Sequence, residues 1–305
     1  MSDVRKFKEF GWRMLEFEVP ESWEISVDSK GKDYAYFRLD YVYPRLEVKW
    51  EKISKKRPPS LKTSVEEYLK EMEKKAKKSG AQYKLVNLRE VKVMSHPALS
   101  FYVRSSGETL GVCWCCPDTE RLVLLQLIFR PEEYHQMYPV FKRLLRTIRC
   151  HKKGPWLWYF YGLYVRIPQE YELEDHKFTP AFSKVKFKKE DMGLIVAYHN
   201  IANVVLEEYR SVDGWFKNFC KPRIFEDLGS LKLVNVESFS INGHDGRKYI
   251  YKSRFSFFKK LLVLSFSWLC NASNRLINLT FYLPEKMYSI VSEEIEEILY
   301  SSKCH

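Results

Sequence analysis

Apolar and polar positions alternate along much of this chain, and one alternating stretch occurs twice. Residues 83–98, YKLVNLREVKVMSHPA, return as residues 231–246, LKLVNVESFSINGHDG, displaced by 148 positions. Lys84-Leu85-Val86-Asn87 is repeated identically by Lys232-Leu233-Val234-Asn235, and His96 falls on His244. Period-two alternation, a small-residue turn and a second alternating run predict a strand, a tight turn and a strand.

The repetition extends in both directions. Leu15-Glu-Phe-Glu-Val-Pro20, followed by Trp23, matches Leu163-Tyr-Val-Arg-Ile-Pro168, followed by Tyr171. Proline ends a ladder, and a large aromatic three residues on can fold over the sheet edge. The first ten residues, polar as a group, predict a loose lead-in. Strand-like runs lie at 33–40 and 41–53. Ser64 with Glu67 reads as a capping box opening a helix, whose apolar face is Val65, Tyr68, Leu69, Met72 and Ala76. In the second copy Ser211-Val212 opens the matching segment, with Trp215, Phe216 and Phe219 apolar. Gly214 replaces the capping acid, which predicts a weaker start.

Strands follow at 99–104, 112–116 and 121–129, with counterparts at 248–255, 261–270 and 275–283. Trp114, Cys116 and Arg121 match Trp268, Cys270 and Arg275 at a displacement of 154, so an insertion is expected near 255–260. Each copy ends in an amphipathic helix, 131–149 with Tyr134, Tyr138, Phe141, Leu145 and Ile148, and 285–300 with Met287, Val291, Ile295, Ile298 and Leu299. Both finish in basic-Cys-His, at Arg149-Cys150-His151 and Lys303-Cys304-His305. The reading is two similar α+β domains, residues 1–151 and 152–305, joined by a short linker at 152–155. Each is ordered β-β-β-α-β-β-β-β-α, a mainly antiparallel sheet covered by helices.

This order resembles the PsbP/DcrB/Mog-type superfamily. The carrying features are the strand ending in Pro (Val19-Pro20, Ile167-Pro168) with an aromatic soon after, the turns at His96-Pro97-Ala98 and Asn242-Gly-His244-Asp-Gly246, and the terminal amphipathic helix. The resemblance covers nearly the whole chain, once per copy. It implies a PsbP-like sandwich and a binding module rather than an enzyme, since PsbP proteins attach to a photosystem and Mog-type proteins bind the small GTPase Ran. It implies no particular ligand.

Composition changes this picture only in places. An aromatic share of 16% suits cores and sheet faces, and a charged share of 30% is that of a folded protein. The opening MSDVRKFKEF has no apolar run after it, and the longest apolar runs, near 156–165 and 261–270, are about ten residues, too short to span a bilayer. A cytoplasmic location with no membrane span is the expectation, and with seven cysteines reduced thiols are the default. The net charge of +12 is concentrated in 52–78. There Lys52, Lys55, Lys56, Arg57, Lys62, Lys70, Lys74, Lys75, Lys77 and Lys78 face only Glu66, Glu67, Glu71 and Glu73, and the second copy has no equivalent. A solvated helix laced by pairs such as Glu66–Lys70, Glu71–Lys75 and Glu73–Lys77 is the favoured account. A polyanion- or partner-binding surface of Lys52, Lys55, Lys56, Arg57, Lys62, Lys70, Lys74, Lys77 and Lys78 is the alternative.

Three features invite chemistry. Cys113 and Cys115 of the run Cys113-Trp-Cys115-Cys116 would share a strand face, but zinc needs two more ligands and no neighbouring Cys-x-x-Cys supplies them. Cys150-His151 and Cys304-His305, taken as helix ends, would point about 100° apart, poorly placed to grip one ion. His96 and His244 sit in turns, where histidine commonly satisfies the backbone. No nucleophile elbow, phosphate loop, dinucleotide fingerprint or His-Glu-x-x-His is present. The expectation is therefore no catalytic, cofactor-binding or metal residue, and no cofactor. A non-enzymatic adaptor presenting a surface to a protein partner comes first. The alternatives are nucleic-acid binding through 52–78 and a small-ligand or hydrolytic site in the inter-domain cleft.

Overall fold

The structure, a computed structural model, describes residues 6–31, 33–54, 56, 58–253 and 260–305. It divides into two compact units, Met1–Lys153 and Gly154–His305. Lys55 and Arg57, and most of the expected insertion near 255–260, lie outside the described residues.

In the first unit the order is β1 (Phe7–Trp12), β2 (Leu15–Pro20), β3 (Glu24–Lys30), β4 (Tyr34–Tyr41), β5 (Tyr43–Lys52), α1 (Leu61–Lys78), β6 (Lys84–Val93), β7 (His96–Arg104), β8 (Glu108–Cys116), β9 (Arg121–Phe129) and α2 (Tyr134–Thr147). The second repeats it as β10 (Trp156–Phe160), β11 (Leu163–Ile167), β12 (Glu172–Lys177), β13 (Phe182–Lys189), β14 (Met192–Asn200), then α3 (Ala202–Tyr209), α4 (Val212–Trp215) and α5 (Lys221–Ile224). It closes with β15 (Leu231–Ile241), β16 (His244–Ser253), β17 (Leu261–Cys270), β18 (Arg275–Pro284) and α6 (Tyr288–Ser301). The sheets are seven-stranded and antiparallel, ordered β3-β4-β5-β9-β8-β7-β6 and β12-β13-β14-β18-β17-β16-β15.

Two strands per unit exceed the expectation. The loose lead-in is instead β1, paired residue by residue with β2 from Phe7↔Pro20 to Trp12↔Leu15. Its polar residues masked Phe10 and Trp12, which are fully buried. Short β3 and β12, each with a register shift, are outer strands whose alternation is too weak to read. The β1–β2 turn puts Arg13 and Met14 at positive φ, and the β10–β11 turn does the same with Tyr161 and Gly162. That is the hand a two-residue hairpin needs.

Each sheet is covered on both faces. α1 lies over β7 and β8, burying Val65 and Leu69 against Phe101, Val103 and Cys113. The β1–β2 hairpin and α2 share the other face, where α2 meets β2, β8 and β9. The cap of α1 is Ser60, whose hydroxyl accepts from the Thr63 N–H, and Ser64 lies inside the helix. The capping-box reading placed the start one turn late, because an S-x-x-T pattern satisfies the same amide as S-x-x-E. α2 buries Met137, Val140, Phe141 and Leu144, a stripe rotated from the Tyr134–Tyr138 side predicted, because Pro139 lies inside it and the first turn at Pro131–Glu133 is 3₁₀.

The second unit replaces α1 by three short helices and a π turn at Phe216–Cys220. Ser211 caps α4 through the Gly214 N–H, as expected of it. Gly214 has a further role: a Cβ there would stand 2.0 Å from the Tyr209 carbonyl oxygen. It is the close approach of two helices that requires glycine. Among the described residues no helix is long and apolar enough to cross a membrane.

Candidate metal centres and exposed sheet edges

The two Cys-His endings are not helical. α2 stops at Thr147, Ile148 turns extended, and Arg149 forms an isolated antiparallel bridge to Glu16 of β2. Arg149 donates its N–H to the Glu16 carbonyl at 2.7 Å and accepts from Glu16 at 3.0 Å. Lys303 and Tyr164 make the same bridge in the second unit, 2.8 Å each way. Extended backbone frees the two neighbouring side chains from the 100° helical offset.

Three separate segments then converge on one spot in each unit. His96 opens β7 directly after the hairpin turn, paired across it with Val93, and Cys116 closes β8. His244 and Cys270 hold the same places in β16 and β17, with Asn242 and Gly243 at positive φ in the turn. One ligand-type atom from each of His96, Cys116, Cys150 and His151 lies within 4.8 Å of the other three, and so for His244, Cys270, Cys304 and His305. His96 Nε2 is 3.2 Å from His151 Nδ1, which is 3.5 Å from Cys116 Sγ and 3.6 Å from Cys150 Sγ. Across the second cluster Cys304 Sγ is 3.3 Å from His244 Nε2 and 3.6 Å from His305 Nδ1, and Cys270 Sγ is 3.3 Å from His305 Nδ1. All seven cysteines are free thiols. Each set of four could hold one soft or borderline metal ion.

Hydrogen bonds aim at the sulfurs. Trp114 donates its indole N–H to Cys150 Sγ at 3.4 Å, and the Ser273 amide donates to Cys270 Sγ at 3.4 Å. The Cys150 thiol, and then the hydroxyl and amide of Thr119, hold Cys116 down to about 4, whereas the same thiol–thiolate bond and burial push Cys150 up. In the second cluster burial opposes the shift, yet bonds from Ser273 bring Cys270 below the ordinary thiol range, and Cys304 is pushed up to about 12 by burial and by Cys270. In each cysteine pair one thiol is thus shifted toward the thiolate, the form that ligates metals, and the other away from it. Buried Arg121 donates to the carbonyls of Cys150 (2.7 Å), Met14 (3.0 Å) and Arg13 (3.2 Å), tying the β1–β2 turn to the cluster. Its counterpart Arg275 holds the Tyr161 carbonyl at the β10–β11 turn and the Asn200 side chain.

Cys113 and Cys115 do not join this cluster. Cys113 lies on the α1 face, where burial raises it to about 12, while Cys116 points to the other face. The sequence signal that could have located the clusters was the repetition itself, since His96, Cys116, Cys150 and His151 all recur by type in the second copy.

The basic segment is exposed where described. Lys52, Lys56, Lys62, Lys70, Lys74, Lys75, Lys77 and Lys78 face solvent. Lys77 pairs with Glu73 at 2.8 Å, and Lys74 pairs with Glu71, three residues away, at 2.6 Å.

A second repeated feature lies at the sheet edges. β6 and β15 are outermost and bulge at the same residue, Val86 in one and Val234 in the other. Leu85 and Leu88 stand opposite Val103 and Phe101, so they lie on the α1 face, and Leu233 and Val236 stand opposite Tyr251 and Tyr249 on the α3–α5 face. These four remain 37–41% exposed. Each unit thus carries an uncovered apolar ledge beside its helices.

No protein-family model matches the chain, and no curated protein matches it by sequence. Likeness is found among solved structures. The cyanobacterial PsbP of Synechocystis sp. PCC 6803 matches at a TM-score of 0.39 and 14% identity, over 48% of this chain and 94% of its own. The Saccharomyces cerevisiae Ran-binding protein Mog1p matches at 0.31 and 7%, over 47% and 90%. LpqN, involved in cell envelope biogenesis of Mycobacterium tuberculosis, matches at 0.31 and 10%, over 46% and 82%. Each of these likenesses spans about half of this chain, which itself holds one seven-stranded antiparallel sheet with helices in each of its two units.

Proposed function

We propose that this chain is a non-enzymatic binding protein whose modules each present an apolar sheet-edge ledge to a protein partner. The observation that carries this is the repetition of the ledge. Leu85 and Leu88 in one module and Leu233 and Val236 in the other are apolar, exposed and on the same face of the same edge strand. Uncovered edges are hazards that proteins blunt with bulges, and Val86 and Val234 supply the bulge here. The bulge guards against ladder extension by another strand and leaves the apolar side chains available for packing.

A photo-crosslinking residue at Val86 or Val234, in cells of the source organism, tests the reading. One protein should be captured from both positions and lost on Leu85→Lys with Leu88→Lys and on Leu233→Lys with Val236→Lys. Capture no different from that at Glu172, exposed on the opposite edge of its sheet, would sink it.

A second reading rests on the exposed lysines of α1 and the segment before it, present in one module alone. It has polyanion binding there, with affinity for RNA or DNA falling steeply with salt. Fluorescence anisotropy at low salt with Lys56, Lys62 and Lys70 reversed to Glu decides it: no binding, or binding indifferent to reversal, ends it.

A further inference from the structure

We infer that each module binds one zinc ion, held in the first by His96 Nε2, Cys116 Sγ, Cys150 Sγ and His151 Nδ1, and in the second by His244 Nε2, Cys270 Sγ, Cys304 Sγ and His305 Nδ1. Geometry is the first support. Zinc–sulfur bonds of about 2.3 Å and zinc–nitrogen bonds of about 2.0–2.1 Å at tetrahedral angles imply edges of about 3.6 Å for S···N and about 3.3 Å for N···N. The observed S···N separations run from 3.3 to 3.6 Å and the N···N separation is 3.2 Å. Three of the six edges in each cluster thus match a tetrahedral sphere, and the other three lie within 4.8 Å.

Donor chemistry selects the ion. Two thiolates and two imidazoles suit zinc, and a full protein set of four leaves no open position, as in a structural site. Charge balances too, since two thiolates and one divalent ion sum to zero, suiting clusters in which His96 and all four cysteines are buried. The donors to sulfur from Trp114 and Ser273 are the outer-shell bonds that orient thiolate ligands.

Recurrence is the third support. Around the kept pairs Trp114/Trp268 and Arg121/Arg275, the strands β8 and β9 have diverged from β17 and β18: Gly111 stands where Ser265 does, Cys113 where Ser267 does, Leu124 where Asn278 does and Gln126 where Thr280 does. All four donor types are nevertheless kept in both copies. A packing role for cysteine tolerates serine or alanine, whereas a four-donor sphere does not. The ion would join the β6–β7 turn, the end of β8 and the segment after α2, pinning the terminal helix to the sheet.

The test is metal analysis of the full chain, expressed with zinc and purified under reducing conditions. Plasma mass spectrometry should find about two zinc per chain, falling to about one in Cys116→Ser/Cys150→Ser, to about one in Cys270→Ser/Cys304→Ser, and to none in the combined variant. In case a variant fails to fold, chelator-stripped wild type is titrated with Co²⁺. Two equivalents should give the intense visible bands of tetrahedral cobalt with a sulfur-to-metal charge-transfer band. A folded, reduced wild type that holds no zinc and gives no tetrahedral cobalt spectrum overturns the inference. So do Cys116–Cys150 and Cys270–Cys304 disulfides in protein isolated anaerobically with no metal, or stoichiometry unchanged in the combined variant. Loss of the partner capture described above with metal content intact would strike only the adaptor reading.

Discussion

The two modules share a sheet order and a Cys₂His₂ cluster but cover one sheet face in different ways. In the first, α1 is a continuous helix of 18 residues over an apolar face of Phe101, Val103 and Cys113. In the second, α3, α4 and α5 with an intervening π turn lie on a face whose centre is polar. Ser265, Ser267, Asn278 and Thr280 are all fully buried there. Asn278 donates to Ser265 at 2.7 Å and Ser267 at 2.9 Å, and Thr280 donates to Asn278 at 2.8 Å. The same sheet thus accepts either a mainly apolar centre, with Gln126 at its side accepting from the Tyr68 hydroxyl at 2.6 Å and donating to Glu47, or a closed hydrogen-bonded one, provided every polar atom is matched. What does not vary is the convergence of two cysteines and two histidines at the other end of the central strands. The variable face is framework, and the constant cluster is where a shared requirement lies.

Loss of the metal should weaken both modules alike, and an effect confined to one would show that the two clusters serve different ends. Removing the metal with a strong chelator should destabilise each module markedly, because the free energy of metal binding adds to that of folding. Urea unfolding of Cys150→Ser and Cys304→Ser chains, each compared with wild type, should show losses of similar size. Next is Asn278→Leu, which installs the residue of the first module and takes the amide partner from Ser265, Ser267 and Thr280, leaving only the Ser265–Thr280 hydroxyl bond of 2.6 Å. About 3 kcal/mol of destabilisation is expected by the same measurement.

Gly214→Ala should cost about 2 kcal/mol by driving a methyl into the Tyr209 carbonyl, whereas Glu67→Ala, at the matching but exposed place on α1, should change stability by less than about 0.5 kcal/mol. Smaller still is a contact of the first module alone. Partial burial would raise Glu133, but bidentate Arg45 at 2.9 Å, the Tyr43 hydroxyl and the Arg130 amide hold it near 2. Its place in the second module is taken by Met287. A lowered carboxyl stabilises above the ordinary value of 4.5 and loses that contribution as pH falls toward 2. Glu133→Gln should cost about 1 kcal/mol at pH 7, and the gap from wild type should close between pH 4.5 and 2 in urea titrations.

Much of the fold was legible because it was written twice. Period-two alternation located the central strands, and the Pro20 and Pro168 stops located the hairpin strands β2 and β11. Where several rules competed, boundaries slipped: Ser64 looked like the cap that Ser60 is, and the polar residues around Phe10 and Trp12 hid β1. Gly214 read as a weak helix start, because propensity carries no knowledge of the Tyr209 carbonyl above it.

The candidate sites divide along the same line. Sequence by itself determined the duplication, the antiparallel α+β class, the exposed basic helix, and the pairing of Cys150-His151 with Cys304-His305. Local rules govern all of these, since alternation, capping and charge spacing act over a few residues. Tertiary structure alone decided that His96 and Cys116 meet Cys150 and His151. Those ligands are separated by up to 55 positions and are brought together by a hairpin turn, a strand end and one bridge to Glu16. Spacing rules for metal sites assume ligands on one short loop. A site assembled from the start of one strand, the end of another and a segment beyond a helix has no such spacing, and only the packing of the sheet against its terminal segment creates it.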